Sequence, residues 1–233
     1  DGLLLSYFLK KEVNATGIDP SPNMVKLASK LGVRTINGLL SKETLAPATK
    51  MHGKPKLVCG NNVFNHIFDL NNVVAAASQA LRSDGYFVFE SPYLEDTIKN
   101  YLFDMIYHEH ISYFSIKSAD FLFKKHGLYI SNVERNKYHG GCVRVYASKN
   151  KKEYNKKLVA QYVKNETKEG LFSLETYKKF MAKIEKDKFD TLNLIYALKK
   201  QNKKIAAIGA ATKGNTLMNY YKLDGNTLEF VTD

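Results

Sequence analysis

Cysteine is scarce in this chain: Cys59 and Cys142 are the only two in 233 residues. Two thiols provide neither a disulfide framework nor the spacing of a zinc site, so a reducing cytoplasm is the default compartment. No apolar run approaches the roughly 20 residues that a bilayer-spanning helix needs, and no membrane partner is expected. A secretory signal is missing as well, because Asp1-Gly2-Leu3-Leu4-Leu5 has no basic flank and no cleavage site. Helix-turn-helix, zinc-finger and aromatic RNA-binding patterns are absent, which argues against nucleic acid as the partner. There are no internal repeats and no low-complexity tracts. The chain opens without Met on Asp1-Gly2 and stops on the strand-like Phe230-Val231-Thr232-Asp233. It is therefore expected to be a fragment at both ends.

What is present is ordinary for a folded protein: 44% hydrophobic, 25% charged and 12% aromatic residues. That is enough to bury a substantial core in one large domain or two smaller ones. The formal net charge is +12, carried mostly by lysines scattered along helical segments. Such a surface is either simply solvated or attracts an anionic partner, and a small anionic substrate such as a sugar nucleotide is compatible with it.

Short apolar segments alternate with helical patterns in the first part, which predicts βαβ units and a mainly parallel sheet. Expected strands are 15–19, 33–36, 56–60 and 85–90. Expected helices are 22–31, with Ser21 as N-cap and Pro22 in its first turn, then 70–81 and 118–126. Segments 128–134 and 142–148 read as a closing antiparallel pair. Residues 149–200 have helical periodicity and lead into a second unit, where a strand from Lys204 runs into the turn Gly209–Gly214 and a helix, with a further strand at 228–231. The expected division is a first domain at 1–148 and a second at 149–233.

Candidate functional residues gather where strands end, since open α/β sheets bind ligands at their carboxyl edges. Asp19 closes the second strand of the expected sheet, where an acid accepts hydrogen bonds from ribose hydroxyls; a turn-capping aspartate is the plainer alternative. Asn61-Asn62-Val63-Phe64-Asn65-His66 follows a buried strand and reads either as a ligand-holding loop or as a helix cap. Tyr107-His108-Glu109-His110-Ile111-Ser112-Tyr113-Phe114 is dense in titratable groups. Its spacing does not fit an HExxH zinc helix, and acid–base chemistry suits it better, an imidazole taking a proton near neutral pH beside an acid. His139-Gly140-Gly141 reads first as a hairpin turn. The segment from Gly209 to Thr216 is similar to a phosphate-cradling turn, with small residues, a helix start and Lys213, without being a Walker A loop.

In this order, these motifs resemble the sugar C-methyltransferases of deoxysugar biosynthesis, which act on dTDP-linked keto-deoxysugars. The resemblance runs through Asp1-Gly2-Leu3-Leu4, Gly17-Ile18-Asp19-Pro20-Ser21, Asn61–Ile67, Phe89-Glu90-Ser91-Pro92-Tyr93, Tyr107–Phe114, His139-Gly140-Gly141 and Gly209–Asn215, and it covers essentially the whole chain. Asp19 stands where the family usually has Glu.

The resemblance implies a Rossmann-like methyltransferase sheet, incomplete at its N-terminus, followed by helices and a partial second α/β domain. It implies S-adenosylmethionine as cofactor, with zinc confined to an absent N-terminal domain and no metal in this chain. It further implies that His110 is the base with Glu109 assisting, and that Tyr107 and His66 bond the sugar or its enolate oxygen. Asp1, Gly2, Asp19, Asn61 and Asn62 would bind the cofactor, and Tyr93, His139, Arg144, Lys213 and Asn215 the nucleotide-linked 4-keto-sugar. An O- or N-methyltransferase on a small molecule and a non-catalytic nucleotide-sugar binder are the alternatives.

Overall fold

The computed structural model describes residues 1–232. The chain opens with α1 (Leu3–Leu9), entered from Gly2 at φ 80°. A side chain at Gly2 would come within 2.7 Å of the Ala28 Cβ, so both the turn and the packing against the next helix require glycine here. β1 (Gly17–Asp19) and β2 (Thr35–Asn37) pair in parallel through α2 (Pro22–Lys30), whose N-cap Ser21 accepts from the Met24 N–H as expected.

α3 (Lys42–His52) was not legible in the sequence, because Pro47 sits inside it and forfeits a backbone hydrogen bond. The helix survives because Ser41 and Thr44 form a reciprocal capping box at its start.

β3 (Leu57–Asn61), α4 (Leu70–Ala80) and β4 (Tyr86–Pro92) form the next unit, with β3 and β4 parallel. A long excursion carrying α5 (Leu94–Lys99) leads to α6 (Ile116–Lys125). β5 (Tyr129–Asn136) and β6 (Cys142–Ser148) then pair antiparallel, and β6 lies antiparallel against β4.

The strand order is β3-β4-β6-β5, while β1 and β2 make their own two-stranded ladder. The expectation of a mainly parallel sheet therefore needs correction. The central sheet contains one parallel and two antiparallel pairings. The reason is the short turn at 137–141, which joins β5 to β6 as a hairpin and leaves no room for a crossover helix.

Beyond the sheet come α7 (Lys156–Lys168), the long α8 (Leu174–Lys200), β7 (Ala207–Ile208), α9 (Thr212–Tyr221) and β8 (Val231–Thr232), with β7 and β8 parallel. The expected boundary at 148 marks a change of element type and not a break in packing. Val159 of α7 belongs to the core of the sheet unit, and Leu158, Tyr162 and Val163 pack on it.

β4 explains where that core sits. It lies between β3 and β6, and Phe87, Val88 and Phe89 are all buried, giving the near-continuous apolar run of a strand covered on both faces. Phe64 and Phe123 meet Phe87 edge-on at 5.1 and 5.4 Å between ring centroids. No helix among the described residues is long and apolar enough to cross a membrane.

Truncating Phe89, which is 1% exposed, should destabilise the fold by about 3–5 kcal/mol, read as a fall in urea midpoint at unchanged m-value. Ser115 caps α6 through a box with Ser118. Ser115→Ala should cost about 1 kcal/mol by the same measurement.

Candidate active site

Two segments build the site, and both leave the carboxyl ends of neighbouring strands. The first follows β3. Asn62 takes a left-handed conformation at φ 52°, its N–H donates to the Glu90 carbonyl at 2.7 Å, and a short helical turn, Phe64–His66, follows. The second is the excursion after β4. It is closed at its neck where Tyr93 bridges Phe114 in parallel, with the Leu94 N–H donating to the Phe114 carbonyl at 3.0 Å. The segments are stitched together by one residue, since the Asn65 carbonyl accepts from the Ile111 and Ser112 N–H groups at 2.8 and 3.1 Å. This brings the His66 and His110 rings to 4.9 Å, edge to face.

His110 is buried, and both its ring nitrogens are engaged. Nδ1 lies 2.8 Å from the Met105 carbonyl, which can only accept. Nδ1 therefore carries the proton, and Nε2 presents its lone pair to the Tyr107 hydroxyl at 3.0 Å. Burial pushes the His110 pKa below the ordinary histidine value of 6.5, opposed by the Met105 hydrogen bond and reinforced by the charges of His66 and Lys213. The Tyr107 phenol is pushed up, by burial first and by Glu109 second. The result is a neutral imidazole with a defined acceptor nitrogen, the form a general base requires.

The neighbouring acid does not partner this histidine. Glu109 is exposed and lies 4.0 Å from Nε2 of His108, while the Nδ1 position of His110 is filled by the Met105 backbone. Glu109 therefore makes no hydrogen bond to His110, and its charge reaches the imidazole only as the last of the effects on its pKa, raising it. Met105 and Asn65 act through backbone carbonyls, a role no side-chain pattern could announce.

Residues expected to bind cofactor lie at the strand ends. Asp19 uses Oδ1 to accept from the Ser21 N–H at 2.8 Å, and its other carboxylate oxygen takes no hydrogen bond among the described residues. Asn61 ends β3 opposite Glu90 and lines a cleft of about 600 Å³ with Leu4, Phe8, Cys59 and Arg144. Buried Asn62 Oδ1 has no hydrogen-bond partner. An orphan acceptor and a carboxylate with a free oxygen suit a ligand bringing ammonium and ribose hydroxyl donors, so these residues fit S-adenosylmethionine. Asp1 caps the start of α1, accepting from the Leu3 N–H at 3.0 Å, and Gly2 supplies the close approach to α2.

Of the expected substrate contacts, Lys213 acts on two histidines through its charge. Lys213 begins α9 and lies near enough to depress the pKa of both His110 and His139, after burial in each case. His139 is exposed and left-handed at φ 51° in the turn between β5 and β6. Asn215, one helical turn in, accepts from Asn219 at 3.0 Å and is exposed.

One expectation is overturned by geometry. Tyr93 is 0% exposed, and its hydroxyl is shared by Glu166 at 2.9 Å and Glu95 at 3.2 Å, which leaves nothing for a substrate. Arg144 pairs with Glu90 at 2.8 Å and with Glu134 at 3.7 Å, and its half-buried side chain lines the cleft beside Asn61.

Comparison with known proteins agrees with this architecture. Residues 1–133 match the methyltransferase domain, and residues 137–233 match the C-methyltransferase C-terminal domain. The C-methyltransferase NovU of Streptomyces niveus is 33% identical over all 233 residues, and the chain spans 56% of that relative's length. Among solved structures, the 1,6-didemethyltoxoflavin-N1-methyltransferase of Burkholderia thailandensis is similar at a TM-score of 0.46 and 16% identity, over 64% of this chain and 67% of that one. The N-methyltransferase NodS of Bradyrhizobium japonicum gives 0.43 and 11%, over 63% and 79%. These structural overlaps are partial, and the assignment rests on the sequence matches. The methyltransferase-domain match spans more than half of the chain and places it in the methyltransferase family, with a second part similar to the C-methyltransferase C-terminal domain.

Proposed function

We propose that this chain carries the catalytic portion of an S-adenosylmethionine-dependent C-methyltransferase acting on a nucleotide-linked 4-keto-deoxysugar. One observation supports the reading above the others: a buried, neutral histidine whose Nδ1 is pinned to a backbone carbonyl and whose Nε2 is left as an acceptor. A carbon nucleophile has to be made by removing a weakly acidic proton, which needs such a base. Methylation of an amine does not.

The 4-keto group acidifies the neighbouring C–H. His110 Nε2 takes that proton, and the bonding pair moves toward the carbonyl as an enolate. For this, Tyr107 turns its one O–H from Nε2 onto the sugar or its developing oxyanion, which frees the lone pair for the proton, and His66 beside the ring bonds the same oxygen. Bound S-adenosylmethionine supplies an electrophilic methyl group, and Asp19, Asn61 and Asn62 are the residues that would hold it. Lys213, at the start of α9, offers a cation to the nucleotide diphosphate, with His139 and Asn215 beside it.

In the complete gene product, His110→Ala should lower kcat about 10²- to 10⁴-fold with cofactor affinity unchanged, as expected for loss of a general base. A rate equal to wild type would end the assignment, as would a product methylated on oxygen or nitrogen when analysed by carbon NMR. Neutral imidazole is the active form and its pKa is depressed, so the rate should persist on acidification and fall only at a pH below the ordinary 6.5 of histidine. An acid limb above that value would contradict it.

A further inference from the structure

Glu166 is the one fully buried carboxylate that the proposed chemistry does not use among the described residues, at 0% exposure on α7. It makes no salt bridge among the described residues and is satisfied by hydrogen-bond donors alone. It accepts from the Tyr93 hydroxyl at 2.9 Å, from the Ile116 N–H, and from the Lys117 N–H at 3.2 Å. The last two are first-turn donors of α6 that the helix itself cannot satisfy. Burial pushes the Glu166 pKa up while these donors pull it down. An ionisable group kept so far from water has to be fully hydrogen-bonded to be tolerated.

The placement of those donors matters. Tyr93 and Phe114 form the bridged neck of the excursion that carries Tyr107 and His110, and Ile116 lies just beyond it. The same excursion is gripped elsewhere from beyond the sheet: Tyr101 stacks on Phe180 of α8 at 5.9 Å, and Phe103 meets Tyr220 of α9 at 4.5 Å. Arg135 lies over the Tyr93 ring at 4.9 Å, bonded to Glu95 and Asp96, and holds the ring in place without reaching Glu166.

We infer that Glu166 is a positioning residue: from α7 it locks both sides of the neck of the 94–113 excursion and so fixes the approach of His110 to its site. The inference rests on the proposed role of His110 for its catalytic consequence, while the lock itself is a matter of local stability. Removing either partner should loosen the excursion before it loosens the sheet.

The test is residue-resolved hydrogen exchange on the complete protein, paired with turnover. In Glu166→Gln the amides of Leu94 and Ile111 should exchange about tenfold faster, or more, while that of Val145 in the central sheet keeps its rate. kcat should fall by a similar factor with cofactor affinity unchanged. Tyr93→Phe removes one of the bonds and leaves the backbone donors paired, so it serves if the first variant does not fold; a smaller acceleration confined to the same amides is expected.

Unchanged exchange at Leu94 and Ile111, or acceleration of Val145 by the same factor, would overturn the inference. Exchange needs no turnover. Faster excursion amides beside a fully active His110→Ala would therefore sink the base assignment and leave the lock standing. Unchanged amides beside an inactive His110→Ala would do the reverse.

Discussion

A single backbone carbonyl decides what the site can do. The Met105 oxygen can only accept, so the nitrogen of His110 that faces it must carry the proton, and the opposite nitrogen is left with the lone pair. Burial then keeps the ring neutral. Without the carbonyl, the imidazole could adopt either tautomer or turn its donor toward Tyr107. Everything chemical in the site follows from that orientation: the Tyr107 hydroxyl on Nε2, the edge of His66 against the ring, and the irrelevance of Glu109 as a direct partner.

The carbonyl is useful only if the loop carrying it is held still, and the loop is not an element of the sheet. It is an excursion between β4 and α6, anchored by the Tyr93–Phe114 bridge and by the Asn65 carbonyl. Further contacts come from Arg135 of β5 and from α7, α8 and α9, which lie after the sheet in the chain. The C-terminal helices are thus part of the site's framework, and one of them also presents Lys213 toward the histidines. The same charge that would draw an anionic ligand lowers the proton affinity of the His110 imidazole, so both respond to one electrostatic environment.

Sequence alone was informative where local physics is strong. Tyr86–Glu90 reads as an apolar strand, Ser21 and Pro22 as a helix start, and His139-Gly140-Gly141 first as a hairpin turn. The order of motifs from Asp19 through His110 to Lys213 carried the family. It was uninformative where a long-range partner compensates a local cost. α3 contains Pro47 and is rescued by its cap. The resemblance makes Tyr93 a substrate contact, yet its hydroxyl is committed to a carboxylate 73 residues away.

By itself, then, the sequence determined the main strands and the helices with clear caps and periodicity, the placement of the candidate groups at strand ends and the presence of a titratable cluster, because propensity, capping and strand-end position are local properties of the chain. Only the tertiary structure decided which histidine nitrogen is free, that Arg144 pairs with Glu90, and that Glu166 and Lys213 reach the site from beyond the sheet. Those outcomes depend on desolvation and on pairings across many residues, and neither quantity exists until the chain has folded.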